Sequence, residues 1–209
     1  MLISGSILSA DFLNFEENIK NLEPYADAWH VDVMDGHYVP NISFGPQFGT
    51  YLAKCSKLPV SVHLMVREPE KFVRLIPKTV QEVTFHQEAT VSPVRFCAML
   101  REMGFLPGVS IGPGVHESSI LEILPFVHHV LFMSVEPGFG GQSFIEPVFE
   151  KIKRLTRLYP DRSFEVWVDG GVDMFWGEKL KEIGVDLAVM GSAFFKAKDP
   201  GEFRKLRVK

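Results

Sequence analysis

The chain predicts a single (β/α)8 barrel, an α/β fold of the TIM type. Two observations lead there. Eight short strand-like segments alternate with helical or turn-rich stretches from one end to the other, and no break in composition divides the 209 residues. Strict alternation implies parallel strands joined by crossovers. Eight such units close into a barrel, here a compact one with little room for inserted domains. An open doubly wound sheet is the alternative that alternation alone leaves standing. Residues 1–209 are read as one domain.

The elements follow in order. Residues 2–8 form a short apolar strand, followed by Ser9-Ala10-Asp11 and a helix over 14–22. Residues 27–33 are the second strand. It runs into a polar loop in which Asp35-Gly36 and Pro40-Asn41 mark turns. A helix near 46–55 leads to a third strand at 60–65. Residues 68–77 read as helical, with Pro69 in the first turn and Phe72, Leu75 and Ile76 as an apolar stripe. A fourth strand at 83–86 precedes a helix over 92–103 that Gly104 terminates. The fifth strand is 107–111 and a short helix at 117–124 follows. The sixth strand, 130–135, is apolar almost throughout, as a strand buried on both faces is. A glycine-rich loop, 136–143, leads to a helix over 146–158. Strand seven, 164–169, ends in Gly170-Gly171, and a helix at 174–183 stops at Gly184. Strand eight, 186–190, runs into Gly191-Ser192 and a last helix.

Apolar residues make up 46% of the chain and charged residues 23%, an ordinary globular balance that argues against disorder. The net charge of −4 is spread along the chain, so there is no basic stripe to bind nucleic acid. No apolar run reaches the roughly 18 residues of a membrane helix. The N-terminus lacks the basic region of a signal peptide, and Cys55 and Cys97 form no paired motif. A cytoplasmic protein with reduced, buried thiols is expected.

The polar outliers sit where a barrel keeps its active site, at the C-terminal ends of strands. His30 and Asp32 are two apart and share one face of strand two. Ser9 follows strand one, His63 and His86 lie near the ends of strands three and four, and Asp169 ends strand seven. Each alone has a bland explanation, as a helix cap or a hydrogen-bonded core residue. Sharing one rim makes that explanation poorer for the set. Two imidazoles and two carboxylates can hold zinc, manganese or iron(II), and the absence of a thiolate argues against a structural zinc site. Spacing does not choose the ligands: His37, His86 and Asp35 are equally legal. Gly138, Gly140 and Gly141 mark backbone that approaches something closely or takes positive φ. With Gly170-Gly171 and Gly191-Ser192 they fall in the sector where such barrels often bind phosphate. No Gly-Lys-Ser/Thr follows, so this is not a nucleotide P-loop. Met34, Met65 and Met133 lie near strand ends, as core or as a polarisable cavity wall.

With these residues in view, the chain resembles the ribulose-phosphate 3-epimerase family over nearly its whole length. The resemblance is carried by Ser6-Ile-Leu-Ser9-Ala-Asp11-Phe, His30-x-Asp32-Val-Met-Asp-Gly-His-x-Val-Pro-Asn, His63-Leu-Met65-Val, Met133-Ser-Val-x-Pro-Gly-Phe-Gly-Gly-Gln142-Ser-Phe, Val168-Asp169-Gly-Gly and Gly191-Ser192-Ala. It implies one divalent metal (Zn, Mn, Fe(II) or Co) held by His30, Asp32, His63 and Asp169. Asp32 and Asp169 would be the paired acid and base. Ser9, His63, Gly138, Phe139, Gly140, Gly141, Gln142, Asp169, Gly170, Gly171, Gly191 and Ser192 would contact the substrate, the glycines and Ser192 mainly at its phosphate. The three methionines would wall the cavity near the metal. The implied reaction is epimerisation of D-ribulose 5-phosphate to D-xylulose 5-phosphate at carbon 3, in the pentose phosphate pathway. One carboxylate would remove a proton and the other would return one from the opposite face, while a bound metal would supply Lewis-acid stabilisation of the developing charge. The expected partner is a small sugar phosphate, bound by a homo-oligomer, with no nucleic acid and no membrane involved.

The chain departs from the family's common pattern at Gly112, Val115, His129 and Met190, none of them among the four ligands. Met190, beside Gly191, bears on the phosphate pocket. A hexulose-phosphate 3-epimerase is the near alternative, and a non-catalytic sugar-phosphate-binding barrel the distant one. Barrels resembling hexulose-phosphate synthase carry a lysine where Asp32 stands, which argues against that chemistry.

Overall fold

The computed structural model describes residues 1–207. Eight parallel strands close into one barrel in sequence order. They are β1 (Leu2–Ser6), β2 (Ala28–Met34), β3 (Val60–Met65), β4 (Glu82–His86), β5 (Leu106–Ile111), β6 (His129–Met133), β7 (Glu165–Asp169) and β8 (Leu187–Met190). Closure by pairing of β1 with β8, Leu2 to Leu187 through Gly5 to Met190, excludes the open sheet.

Period-two alternation sorts the strand residues into two sets. One set packs outward under the helices: Ile3, Trp29, Val31, Val62, Phe85, Val109, Phe132, Val168, Ala188 and Met190 all belong to the large apolar core there. The other set fills the barrel. From β6 to β8 the filling is apolar apart from His129 and Asp169, with Leu131, Met133, Trp167, Leu187 and Val189 in one cluster. From β1 to β5 it is polar, and Ser4, Ser6, His30, Asp32, Ser61, His63, Thr84, His86 and Ser110 are all buried. Met190 thus faces the helix layer and does not line the pocket beside Gly191. His129 lies at the N-terminal end of β6, where it stacks on Trp167 at 3.7 Å and 7° and shares a 2.7 Å hydrogen bond with Thr84. Gly108 is paired with His129, and a Cβ there would come within 1.9 Å of its ring. The ring fills space that β5 leaves open.

Six α-helices are present among the described residues: α1 (Phe15–Leu22), α2 (Phe48–Cys55), α3 (Pro93–Glu102), α4 (Pro147–Leu158), α5 (Met174–Glu182) and α6 (Ser192–Phe195). The helices expected at 68–77 and 117–124 are instead pairs of 3-10 turns, Pro69–Lys71 with Val73–Leu75 and Glu117–Ile120 with Leu124–Phe126. Proline explains the first. Glu68 before Pro69 is left-handed at φ 59°, and Ile76 before Pro77 is extended, so too few residues remain for a stable helix. In the second, Ser118-Ser119 favour turns and Pro125 interrupts the segment. Strands one and six end earlier than expected, at Ser6 and Met133. Ile7–Ser9 turns into the barrel mouth, and the Ser134 hydroxyl takes up the backbone carbonyls of Asp169 and Gly170. No helix among the described residues is long and apolar enough to cross a membrane.

At the N-terminal end of the barrel, burial raises the Glu82 carboxyl from 4.5 to about 7, and the neighbouring Glu165 adds to the effect. A carboxyl with a raised folded pKa is protonated in the fold and ionised in the unfolded chain between those values. Its cost to stability is absent below about pH 4 and complete above about pH 7. Glu82→Gln is therefore expected to stabilise the protein by roughly 1–3 kcal/mol near pH 8 and to be close to neutral near pH 4, as read from denaturant melts at both.

Candidate active site and metal centre

Register builds the centre. Pairing of β2 with β3 sets Asp32 level with His63, and His30 one step below, level with Ser61. Pairing of β6 with β7 sets Asp169 level with Met133 at the same mouth. One ligand atom each from His30, Asp32, His63 and Asp169 lies within 4.8 Å of the others. Asp32 Oδ1 is 3.5 Å from His30 Nε2 and 3.6 Å from His63 Nδ1. All three of these atoms are buried and lack a hydrogen-bond partner. Buried polar atoms are almost always satisfied, so three unsatisfied ones converging on one point fit a cation between them. The far sides of these groups are satisfied. Ser6 Oγ donates to Asp32 Oδ2 at 2.7 Å. His30 Nδ1 lies 2.8 Å from Ser61 Oγ, whose hydroxyl donates to the Trp29 carbonyl. His30 Nδ1 therefore carries the proton, and Nε2 presents its lone pair.

Electrostatics pushes the two carboxyls apart. Burial opposes ionisation of Asp32, but His30 and His63 outweigh it and hold its pKa below the usual carboxylate range. Burial raises Asp169 to about 7, and the Asp32 charge adds to this. Burial lowers His63 to about 3; it also works against a charged His30, where Asp32 outweighs it and the pKa is raised. Protons and a metal ion compete for the same lone pairs.

Above the cluster opens a cavity of about 670 Å³. Asp32 and Asp169 reach its floor, and Met34, Met65 and Met133, each at most 4% exposed, line its wall. Ser9, Gly138, Phe139, Gly140, Gly141, Gln142, Gly170, Gly171, Gly191 and Ser192 line it too. His30 and His63 are fully buried beneath it and do not reach the lining. Two glycines are required by shape. At Gly170, φ +115°, a Cβ would sit 2.4 Å from Val135 Cγ2; at Gly171, φ +64°, it would meet the Phe144 backbone nitrogen at 2.4 Å. Gly138 and Gly141 also take positive φ, whereas Gly140 has ordinary space around it. The Gln142 side-chain amide donates to the carbonyls of Glu136 and Phe139, so it closes the glycine loop on itself.

The other legal ligands lie elsewhere. Asp35 accepts from the backbone of His37, Tyr38 and Arg67, shaping the loop after β2 and tying it to the end of β3. His37 is exposed. His86 sits behind His63, with the two Nε2 atoms 3.0 Å apart. Several participants escape a reading of motifs. Ser61 and Ser43 act as supports, the latter through a hydroxyl bond to the Asp32 carbonyl. Trp176 from α5 and Lys196, just after α6, enter the cavity wall. Ser61 had a signal, since it lies two residues before His63 on the same strand face. Lys196 had none.

Comparison with known proteins identifies the family. The profile of the ribulose-phosphate 3 epimerase family matches residues 2–195. The ribulose-phosphate 3-epimerase of Helicobacter pylori is 41% identical over 212 aligned residues, covering 100% of this chain and 95% of that one. The chloroplastic ribulose-5-phosphate-3-epimerase of Arabidopsis thaliana is 41% identical over 97% of this chain and 74% of its own length. The Methanocaldococcus jannaschii ribulose-phosphate 3-epimerase is 39% identical over 94% and 85%. Among solved structures, a 3-hexulose-6-phosphate synthase superposes with a TM-score of 0.71 at 16% identity, covering 99% of this chain and 97% of that one. A mutant tryptophan synthase α-subunit from Pyrococcus furiosus gives 0.70 at 15% identity over 98% and 93%. These two likenesses speak for the barrel alone. The sequence matches go further: the chain belongs to the ribulose-phosphate 3-epimerase family.

Proposed function

We propose that this chain epimerises carbon 3 of a ketose phosphate, interconverting D-ribulose 5-phosphate and D-xylulose 5-phosphate. The observation that carries the reading is the pair of carboxyls, Asp32 and Asp169, at the floor of one cavity and beside two bare imidazole nitrogens. Epimerisation removes a proton next to a carbonyl and returns one to the opposite face, so it needs two proton-transfer groups flanking a planar intermediate. Asp32 on β2 and Asp169 on β7 are separated by β1 and β8 in the closed barrel, which lets them approach a bound sugar from different sides. The unequal environments of the two carboxyls suit one to accept a proton while the other donates. A divalent cation held by His30, Asp32, His63 and Asp169 supplies Lewis-acid stabilisation of the charge that develops on the substrate oxygens. Two nitrogen and two oxygen donors suit Zn, Mn, Fe(II) or Co.

The phosphate lies against Gly170, Gly171, Gly191 and Ser192, where exposed backbone amides can donate without side chains in the way. Ser9 adjoins this sector: its hydroxyl is 2.8 Å from the place a Gly191 Cβ would occupy. Gly138, Phe139, Gly140, Gly141 and Gln142 cover the sugar from above, and His63 acts from beneath through the cation. Met34, Met65 and Met133 exclude water from the reacting carbon. The working unit is a homo-oligomer. Phe12, Phe15, Phe44, Phe48 and Tyr51 form a continuous aromatic run, with Phe12 and Tyr51 each 48% exposed, and such a patch suits a self-association surface.

Separate tests address the cation, the two acids and the phosphate site. Exhaustive chelation is expected to abolish turnover of ribulose 5-phosphate, and adding back Zn, Mn, Fe(II) or Co to restore it. Full activity in protein shown metal-free by elemental analysis refutes the cation's role. In heavy water, early product should carry deuterium at carbon 3 while recovered substrate stays largely unlabelled. Asp32→Asn and Asp169→Asn, with metal content measured alongside, should each lower kcat by about 10²–10⁴-fold. Efficient return of the original hydrogen would point to one shared base instead. Finally, Gly191→Val should raise KM for ribulose 5-phosphate more than it lowers kcat, since phosphate contacts contribute mostly uniform binding. An unchanged KM removes Gly191 from the phosphate site.

A further inference from the structure

His63 faces the cluster with Nδ1, and its other ring nitrogen, Nε2, is 3.0 Å from Nε2 of His86. Two imidazole nitrogens this close share one proton, so one ring donates and the other accepts. What lies behind His86 decides which. Its Nδ1 is buried, has no hydrogen-bond partner, and faces Glu88 Oε1 at 3.6 Å. A carboxylate opposite this nitrogen is compatible with an N–H and repels a lone pair. The His86 proton therefore belongs on Nδ1, which leaves Nε2 to accept from His63. His63 is then protonated on Nε2 and bare on Nδ1, the form a cation at the cluster requires.

The support extends one residue further. The Tyr38 hydroxyl donates to Glu88 Oε1 at 2.8 Å, and its ring packs on His86 with centroids 4.6 Å apart. Tyr38 comes from the loop after β2 and Glu88 from the turn after β4, so two loops outside the cluster clamp the ring between them. His86 itself is fully buried and reaches neither the cavity nor the four-residue cluster.

We propose that His86, backed by Glu88 and Tyr38, is a positioning unit that holds His63 in the Nε2–H tautomer with its Nδ1 lone pair aimed at the cation. The unit touches neither substrate nor metal. The inference rests on the metal-site reading above, and its test separates the two. Zn²⁺ affinity is measured by competition with a chromophoric chelator for the wild type, His86→Ala, His86→Gln, Glu88→Gln and Tyr38→Phe, each checked for folding by circular dichroism. Wild type should bind tightly. His86→Ala should bind about 10- to 100-fold more weakly, the usual cost of losing an outer partner of a metal-bound histidine. His86→Gln, whose amide oxygen can accept from His63, should recover most of that loss, and the Glu88 and Tyr38 variants should show smaller losses in the same direction. In zinc-loaded wild type, ¹⁵N shifts should place the His63 proton on Nε2.

A folded His86→Ala protein with wild-type affinity overturns the inference and leaves the metal site standing. So does a proton on His63 Nδ1. A Gln variant no better than Ala reduces His86 to packing and overturns it as well, and wild-type affinity in Glu88→Gln removes the carboxylate from the unit. Failure of the wild type to bind any of the four metals overturns the metal-site reading itself.

Discussion

A buried negative charge governs this structure. The Asp32 carboxylate is 3% exposed inside a barrel mouth, where an unpaired ion costs several kcal/mol. Neutralising it by protonation is disfavoured here, because His30 and His63 face one oxygen and the Ser6 hydroxyl donates to the other. The compensation is incomplete, since three of the polar atoms involved have no hydrogen-bond partner. Asp169 brings a second carboxyl to the same place. A cation held between them would complete what the protein groups begin.

The barrel divides its interior to accommodate this charge. Apolar filling from β6 to β8 supplies packing, with the stacked His129 and Trp167 rings near the N-terminal end. Ser6, Ser61 and His86, from β1, β3 and β4, supply hydrogen bonds behind the candidate ligands. Sub-Ångström placement of ligands depends on such backing, because a metal site is only as well ordered as the groups that orient it. The polar half gives up some hydrophobic stabilisation, and the apolar layer between barrel and helices provides it elsewhere.

Loops over the mouth are fastened to one another and to the strands. Asn41 Nδ2 donates to the Gly138 carbonyl at 2.7 Å, joining the loop after β2 to the glycine-rich loop after β6. The Ser134 hydroxyl ties the end of β6 to the backbone carbonyls of Asp169 and Gly170. Gly170 and Gly171 then turn tightly against Val135 and Phe144, where no Cβ fits. Cavity shape thus follows from contacts between loops far apart in sequence.

Much of this was legible from local pattern. Alternating strands and crossovers have a signature of a few residues each, so the eight strands could be read directly, and the β1–β8 pairing then settled their closure. His30 and Asp32 had to share a face because a strand repeats every two residues. The long motifs, in order, identified the family. Tertiary structure decided what depends on register and closure. Spacing could not separate His63 from His86, or Asp169 from Asp35. Pairing sets His63 level with Asp32 and leaves His86 behind it, while Asp35 turns to cap a loop. Nor could it show that Met190 faces the helices, that prolines reduce the third and fifth crossovers to 3-10 turns, or that Tyr38 and Glu88 meet behind His86. Propensity and periodicity are properties of neighbours in the chain. Which buried group stands next to which is a property of strands brought together from opposite ends of it.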